Sequence, residues 1–142
     1  MGSSLIPAQT VNPPSRLTFP ANATTYYTLA LVDVESEMLH WLVVNIPGGR
    51  VSQGNVIAEF QPPSSSLSSG MHRYAVVALA QPDAILYGLE PFSAGYCDFT
   101  GRENFKMKDL MTTFNLDIVA GNFFKMENDP KVSEQLCNYT YV

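Results

Sequence analysis

The chain has 142 residues, of which 46% are hydrophobic and 15% are charged, and it contains two cysteines. This length can bury a hydrophobic core without disulfides or metal, and the composition is too apolar for a disordered chain. The net charge is -5, and the eight Lys and Arg residues are spread singly between Arg16 and Lys131. This scattered basic set argues against non-specific nucleic-acid binding and excludes attraction to a membrane through a polybasic patch.

The first half of the chain is predicted to be β. Prolines among Ser, Thr and Asn indicate that residues 1–25 form an extended N-terminal arm rather than a helix. Apolar runs rich in aromatic and β-branched residues then predict three strands, the first two buried on both faces. They cover Tyr26–Val32, Leu39–Asn45 and Arg73–Ala80, with a turn at Ile46–Gly49 and a shorter strand at Asn55–Phe60.

The remaining segments are a polar linker and two helices. Residues 61–70 are rich in Ser and Pro and are interpreted as a solvated linker within the domain. Thr100–Glu103 fits a capping box, and apolar residues follow it at helical spacing up to Phe114. Asp129 and Pro130 signal the start of a second short helix that runs toward Leu136. The sequence has no repeats, so we expect a single domain over residues 1–142.

The cellular compartment stays open on sequence alone. No apolar run approaches the roughly 20 residues that span a bilayer, and the first residues lack the features of a signal peptide. Cys97 and Cys137 are expected to pair if the protein is secreted and to be free if it is cytoplasmic. Two glycosylation sequons, at Asn22 and Asn138, lean toward a secretory route without deciding it.

Polar side chains at the ends of the predicted strands are the candidates for a binding site. Both histidines, His40 and His72, lie at or beside the edge of an apolar strand, and Asp33 directly follows another. If these strands are neighbours, Asp33, His40, His72 and Tyr74 gather at one rim, with Trp41 as an apolar wall. Such a set can bind a small anion such as a phosphate. A single histidine in this position is more often a hydrogen-bonded structural residue, so the site stays a hypothesis.

Other chemistries lack their sequence signatures. Asp33, His40 and His72 could supply three zinc ligands, but no two of them have the short spacing typical of such sites. The sequence contains no Gly-x-Ser-x-Gly motif and no phosphate-binding glycine loop, and neither cysteine has a recognisable catalytic signature. We therefore expect a protein that is not an enzyme and that has no metal and no cofactor.

The order of several motifs resembles the phosphatidylethanolamine-binding protein family. The matching strings are Tyr27-Thr-Leu-Ala-Leu-Val-Asp33, Leu39-His-Trp-Leu-Val-Val-Asn-Ile-Pro-Gly48, Pro62-Pro63 and Gly70-Met-His-Arg-Tyr74, followed by Arg102 and Phe105. The match extends from Leu5-Ile-Pro-Ala-Gln-Thr10 to Ser133-Glu-Gln-Leu136. The His-Trp strand and the Gly-x-His-Arg-Tyr motif are its most specific parts.

The resemblance implies a mainly β fold, like a β-sandwich, with a large central sheet, a smaller sheet and peripheral C-terminal helices. It also implies an anion pocket formed by the ligand-binding residues Asp33, His40, His72 and Tyr74, with Trp41 nearby. Gly70 and Pro63 would lie on the rim of that pocket, and the Arg73 side chain would point away from it.

The turn after the first strand departs from the family. The usual Asp-Pro-Asp-x-Pro is replaced by Asp33-Val-Glu-Ser-Glu37, and the connection to His40 is shorter. Without the prolines we expect a wider pocket, a less fixed Asp33 carboxylate and weak phosphate binding. We expect that binding to improve as the pH falls toward 6, where both histidines would gain charge.

The function favoured by the sequence is a non-enzymatic ligand-binding or regulatory module. Its partner would be a phosphorylated small molecule, a lipid headgroup or a phosphorylated protein, and we expect a monomer. Two alternatives stay open: a structural or protein-interaction domain with a vestigial pocket, as in a related mitochondrial ribosomal protein, and a protease inhibitor.

Overall fold

The computed structural model of the chain describes residues 3–5, 17–63, 70–128 and 137. The strands are β1 Ser3–Leu5, β2 Tyr26–Asp33, β3 Met38–Pro47, β4 Asn55–Ala58, β5 Gly70–Ala80 and β6 Asp117–Asn128. The helix α1 covers Met107–Phe114, and 3-10 helices lie at Val51–Gln53, Glu90–Phe92 and Thr100–Arg102. The mainly β class and the four strands predicted in the first half of the chain are confirmed, and the chain turns at Gly48 and Gly49, just after β3.

The six strands form one sheet in the order β1-β6-β5-β2-β3-β4. Only β1 and β6 run parallel, and every other pair is antiparallel. The central strands β5, β2 and β3 are therefore direct neighbours, which is the arrangement that the predicted polar cluster needs. The described ranges contain this one sheet, and the smaller sheet implied by the resemblance is not found among them.

The sheet is covered on both faces, which explains why β2 and β3 are almost continuously apolar. On the face we call the helix face, Ala30, Val32 and Leu42 pack with Leu110 of α1 and with Phe105. On the opposite face, called the arm face, core residues of β2, β3, β5 and β6 pack together. Leu17 and Phe19 from the described end of the N-terminal arm lie against them. The polar candidate residues lie at one end of the arm face.

The strand β6 was not predicted from the sequence. It pairs with β5 from Ala80↔Asp117 to Gly70↔Asn128 and thereby extends the sheet. Ala120, Phe124 and Met126 pack on the arm face, which is the two-residue alternation of a strand. Gly121 and Asn122 interrupt the apolar run. The alternation from Ala120 to Met126 was the signal that could have identified it.

The predicted capping box at Thr100–Glu103 is wrong. The helix α1 begins at Met107, its N-cap is Lys106, and no side chain caps it. Thr100–Arg102 instead forms a separate 3-10 helix, and Asn104 has a positive φ of 57° that breaks any continuous helix. Arg102 is buried there, with its guanidinium bound to backbone carbonyls, so tertiary contacts override the local capping signal.

The solvated-linker interpretation of residues 61–70 is wrong where the structure describes them. Gln61, Pro62 and Pro63 are buried, and residues 64–69 lie outside the described residues. The predicted helix from Asp129 to Leu136 and most of the arm also lie outside them. The assignment of residues 1–142 to one domain therefore stays a prediction. None of the described helices has the length and hydrophobicity needed to cross a membrane.

Candidate functional site

The four predicted polar residues come together on the arm face. Asp33 is the last residue of β2 and pairs in register with Tyr74 of β5. The ring centroids of His40 and Tyr74 are 5.4 Å apart, and Nδ1 of His72 lies 2.6 Å from Oδ2 of Asp33. Antiparallel pairing of β5, β2 and β3 thus produces the cluster that the sequence predicted.

A β-bulge in β3 places His40 in this cluster. Leu31 pairs with Trp41 and Val32 pairs with Leu39, so His40 is an extra residue opposite β2. A regular strand would send His40 and Trp41 to opposite faces of the sheet. Here Trp41 belongs to the arm-face core, in an edge-on contact with Phe60, while His40 contacts Tyr74 on the same face.

The Asp33 carboxylate is firmly held, contrary to our expectation for a turn that lacks prolines. Its Oδ1 accepts hydrogen bonds from the backbone N–H groups of Glu35 and Ser36, at 3.0 and 3.1 Å. Its Oδ2 accepts one from the imidazole of His72, and the residue is fully buried. An Asx turn therefore replaces the prolines as the device that fixes this carboxylate.

The two other carboxylates of the turn are ion-paired. Glu35 accepts hydrogen bonds from the backbone N–H and the guanidinium of Arg73, at 3.0 and 3.3 Å. Glu37 pairs with the ammonium group of Lys106. The repulsion of an anion by these carboxylates is thus weaker than the sequence alone implied.

His40 is buried and neutral. Its Nδ1 lies 2.8 Å from the carbonyl oxygen of Gln61. Burial lowers the pKa of His40 to about 4, so the expectation that it gains charge near pH 6 is wrong. A neutral ring that donates through Nδ1 leaves Nε2 as an acceptor, and this atom is buried without a hydrogen-bond partner among the described residues.

Within the cluster, Tyr74 contacts Asn128 of β6. The sequence analysis predicted Tyr74 and missed Asn128. The Tyr74 hydroxyl lies 2.6 Å from the Pro63 carbonyl oxygen and 2.7 Å from Oδ1 of Asn128. The hydroxyl has one proton and can donate it to only one of these two acceptors. If the Asn128 amide is rotated by 180°, its Nδ2 donates to the Tyr74 hydroxyl, and this bond also gives Nδ2 a partner. Burial raises the pKa of Tyr74, which stays a neutral donor.

The predicted rim residues differ in their surroundings. Pro63 is buried and contributes its carbonyl oxygen to Tyr74. Gly70 begins β5 opposite Asn128, is exposed, and has a φ of +100°, which favours glycine. Trp41 is buried in the core rather than facing open space.

An open cleft of about 270 Å³ lies beside the cluster and shares His72 with it. Its lining residues are Glu35, Met71, His72, Arg73 and Lys125. His72 is the cluster residue among them. The resemblance implied that the Arg73 side chain points away from the pocket; its guanidinium bonds to Glu35, and Arg73 is one of the residues that line this cleft. Lys125, which pairs in register with Arg73, was missed by the sequence analysis.

Behind the cluster, a disulfide joins Cys97 to Cys137. Gln61 contacts both cysteines: its Oε1 accepts from the backbone N–H of Cys97 at 2.6 Å, and its Nε2 lies 3.5 Å from Sγ of Cys137. The sequence left the pairing of these cysteines open, and the structure shows them bonded. Asn22 of the first sequon is exposed, and Asn138 of the second lies outside the described residues.

The described residues include no group of His, Cys, Asp and Glu side chains arranged to hold a metal ion.

Comparisons with known proteins place this fold. No family profile matches the chain. The chain is 33% identical over 136 residues to a 26 kDa secreted antigen of Toxocara canis, covering 89% of this chain and 51% of that protein. It is 30% identical over 129 residues to putative odorant-binding protein A5 of Drosophila melanogaster, covering 84% and 60%. It thus spans about half to three-fifths of the length of these curated relatives.

Solved structures identify the fold. A phosphatidylethanolamine-binding protein from Plasmodium vivax aligns with a TM-score of 0.63 at 17% identity, over 90% of this chain and 78% of that one. A carboxypeptidase Y inhibitor, solved in complex with its cognate proteinase, aligns with a TM-score of 0.63 at 18% identity, over 90% and 76%. The chain therefore has the fold of the phosphatidylethanolamine-binding proteins, as its motifs indicated.

Proposed function

We propose that this binding module takes a phosphate-bearing group in the cleft at His72. The observation that carries the proposal is a histidine whose Nδ1 is held by a buried carboxylate and which lines a cleft together with Arg73 and Lys125. Because Asp33 occupies Nδ1, the ring presents Nε2 as the nitrogen left for a ligand. Hydrogen bonds from charged donors are the stronger kind, and phosphate oxygens are their typical acceptors.

The charges around the cleft favour an anion even though the whole chain is acidic. Arg73 is offset by Glu35, whereas Lys125 has no carboxylate within ion-pairing distance among the described residues. Glu127, two residues along β6, is not part of the cleft lining. The lining therefore carries an excess of one positive charge before His72 is counted.

The residues behind His72 determine shape rather than charge. His40 and Tyr74 are both neutral at physiological pH, for the reasons given above, and both are fully buried. They hold β3, β5 and the segment at Pro63 together by hydrogen bonds. We infer that they keep the base of the cleft rigid, which reduces the entropy lost when a ligand binds.

The test is a titration with inorganic phosphate, followed by calorimetry and by the NMR signals of the His72 ring. Loss of one charge-assisted hydrogen bond costs about 1.5–3 kcal/mol, so His72→Ala and Lys125→Ala should each weaken binding about tenfold or more. Lys108→Ala, an exposed lysine on α1, is the matched control and should change nothing. Equal affinities in all four proteins would refute the proposed site.

A lipid headgroup and a free phosphate ester present the same chemistry to this cleft. Glycerophosphoethanolamine, as a soluble headgroup, and vesicles that contain phosphatidylethanolamine separate the two sources. Binding to the soluble headgroup alone would identify a small-molecule ligand. Additional binding to vesicles that is lost in His72→Ala would identify the lipid.

The disulfide supports an oxidising compartment. Structural disulfides persist in secreted proteins and are rare in the cytoplasm, and one of the curated relatives is a secreted antigen. We propose that this protein is also secreted. Mass spectrometry of the protein from its native source should find Cys97 bound to Cys137 and a glycan on exposed Asn22. Free thiols and an unmodified asparagine would contradict secretion.

Protein interaction, including protease inhibition, is the second candidate. Leu86 and Tyr87 are 82% and 83% exposed, which is unusual for neighbouring apolar side chains in one loop. A fold neighbour is a carboxypeptidase inhibitor. Inhibition of carboxypeptidase Y by this chain, abolished by Leu86→Ser with Tyr87→Ser, would favour this function. Phosphate binding without inhibition would favour the proposed phosphate-binding function.

A further inference from the structure

We infer that Gln61 is a positioning residue that couples the redox state of the Cys97–Cys137 disulfide to His40. This inference deepens the proposed function, because its consequence for ligand binding rests on the proposed cleft. The coupling itself is observable without any ligand. It is carried by contacts at both ends of one buried residue.

The backbone of Gln61 fixes His40. Its N–H donates to the His40 carbonyl oxygen at 2.7 Å, and its own carbonyl oxygen lies 2.8 Å from Nδ1 of the same histidine. One residue therefore holds both the main chain and the ring of His40. Because the Nδ1–H bond determines the tautomer, it also determines that Nε2 faces the cluster as an acceptor.

The side chain of Gln61 contacts the disulfide. Its Oε1 accepts the Cys97 N–H at 2.6 Å, and its Nε2 donates toward Sγ of Cys137 at 3.5 Å. Gln61 is fully buried, so water cannot readily replace these partners. Gln61 thus contacts both the Cys97–Cys137 disulfide and the imidazole of His40.

The loop that carries Cys97 is held from two directions. Arg102 donates to the carbonyl oxygens of Gly95 and Asp98 at 2.7 and 3.1 Å and to that of His40 at 3.1 Å. The disulfide holds the other side of the loop. Cys97 has a φ of 64°, a conformation that residues with a side chain rarely adopt. Cleavage of the disulfide releases this constraint while Arg102 keeps the loop near β3.

Reduction therefore changes the surroundings of the Gln61 amide without removing an element of the sheet. A dithiol supplies two electrons and two protons: the S–S bond breaks, each cysteine becomes a thiol, and the dithiol becomes a cyclic disulfide. Cys97 and its N–H then move relative to Oε1 of Gln61. We expect Gln61 to shift with them, which lengthens the hydrogen bond at Nδ1 of His40.

The experiment follows the nitrogen and proton signals of both histidine rings by NMR before and after dithiothreitol. The Nδ1 signal of His40 should shift and its proton should exchange faster with water. The signals of His72 should stay, because Asp33 and not Gln61 holds that ring. An unchanged His40 in the reduced, folded protein would overturn the inference.

Variants keep the test decisive if reduction unfolds the protein. Gln61→Met has a similar shape but cannot accept the Cys97 N–H, so it should reproduce the His40 shift with the disulfide intact. Gln61→Glu retains an acceptor for that N–H and should restore part of the wild-type signal. Gln53→Met, at an exposed glutamine that bonds to Arg50, is the control and should leave His40 unchanged. A wild-type His40 signal in Gln61→Met would refute the positioning role.

Phosphate titration separates this inference from the proposed function. If the cleft binds phosphate, reduction and Gln61→Met should each weaken binding by about fivefold, the equivalent of one ordinary hydrogen bond. If His40 responds to reduction but no phosphate binds, the proposed function fails and the coupling stands. If phosphate binds with the same affinity in both redox states and His40 does not respond, the coupling fails and the proposed function stands.

Discussion

The two histidines of the candidate site are equivalent in sequence and opposite in environment. His40, with Gln61 and Tyr74, forms an inner half that is buried, neutral and bonded to backbone carbonyls. His72, with Asp33, Arg73 and Lys125, forms an outer half that borders an open cleft. The nearest partner therefore separates the two rings: a backbone carbonyl holds His40 within the architecture, and a carboxylate holds His72, for which we propose a role in ligand binding.

The largest expected effect concerns Arg102, which supports the inner half. Its guanidinium donates to backbone carbonyls at Leu39, His40 and Gly95, and burial lowers its pKa to about 10. Arg102→Met should lower the free energy of unfolding by about 3 kcal/mol or more, because these buried carbonyls lose their partners. Urea denaturation measures this, and exposed Arg50→Met should cost less than about 0.5 kcal/mol. Equal losses would show that Arg102 is not a structural support.

The second prediction uses pH to separate the two halves. The pKa of His40 is lowered from 6.5 in the unfolded chain to about 4 in the folded protein. Below pH 6.5 the unfolded state binds a proton that folded His40 does not, so stability is complete above that pH and falls as the pH drops toward 4. The loss by pH 4 should approach about 3 kcal/mol.

The measurement is the free energy of unfolding between pH 4 and 7.5 in wild type, His40→Asn and His72→Asn. The slope between pH 6.5 and 4.5 should flatten in His40→Asn. His72→Asn is the matched variant in the outer half and should retain that part of the slope. A slope that persists in His40→Asn would assign the pH dependence to other groups.

The third prediction concerns the hydroxyl of Tyr74. Tyr74→Phe keeps the ring stacked on Phe124, with centroids 5.3 Å apart, and removes the hydrogen bond to Pro63. The buried carbonyl oxygen then lacks this donor, so stability should fall by about 1–2 kcal/mol. Thermal unfolding measures the loss, and Tyr87→Phe, at a tyrosine 83% exposed, should leave the midpoint unchanged. An unaltered midpoint in Tyr74→Phe would mean that water replaces the hydroxyl.

The smallest effect is expected at the rim of the outer half. Glu35 pairs with Arg73 at 3.3 Å, and both side chains are about half exposed, so Glu35→Gln should change stability by less than about 0.5 kcal/mol. It should strengthen phosphate binding by about two- to threefold, because one negative charge leaves the cleft, and high salt should reduce this gain. Glu103→Gln is the distant control. Weaker phosphate binding in Glu35→Gln would show that Glu35 orients Arg73 for the ligand.

The central strands and the members of the polar cluster could be predicted from the amino-acid sequence. The apolar runs at Tyr26–Val32 and Leu39–Asn45 are rich in aromatic and β-branched residues, which predicts strands covered on both faces, as observed. Asp33, His40, His72 and Tyr74 follow from the ends of these strands and from the family motifs. Local pattern was sufficient there because every residue of a buried strand is constrained.

The environment of each site residue depends on contacts between distant parts of the chain. The bulge that turns His40 toward Tyr74, the strand β6 that brings Asn128 and Lys125, and the contact of Gln61 with the disulfide all join residues distant in sequence. The same holds for charge: His40 is neutral and Asp33 is fixed because of burial and hydrogen-bond partners. These are properties of the environment, and no local pattern in the chain encodes them.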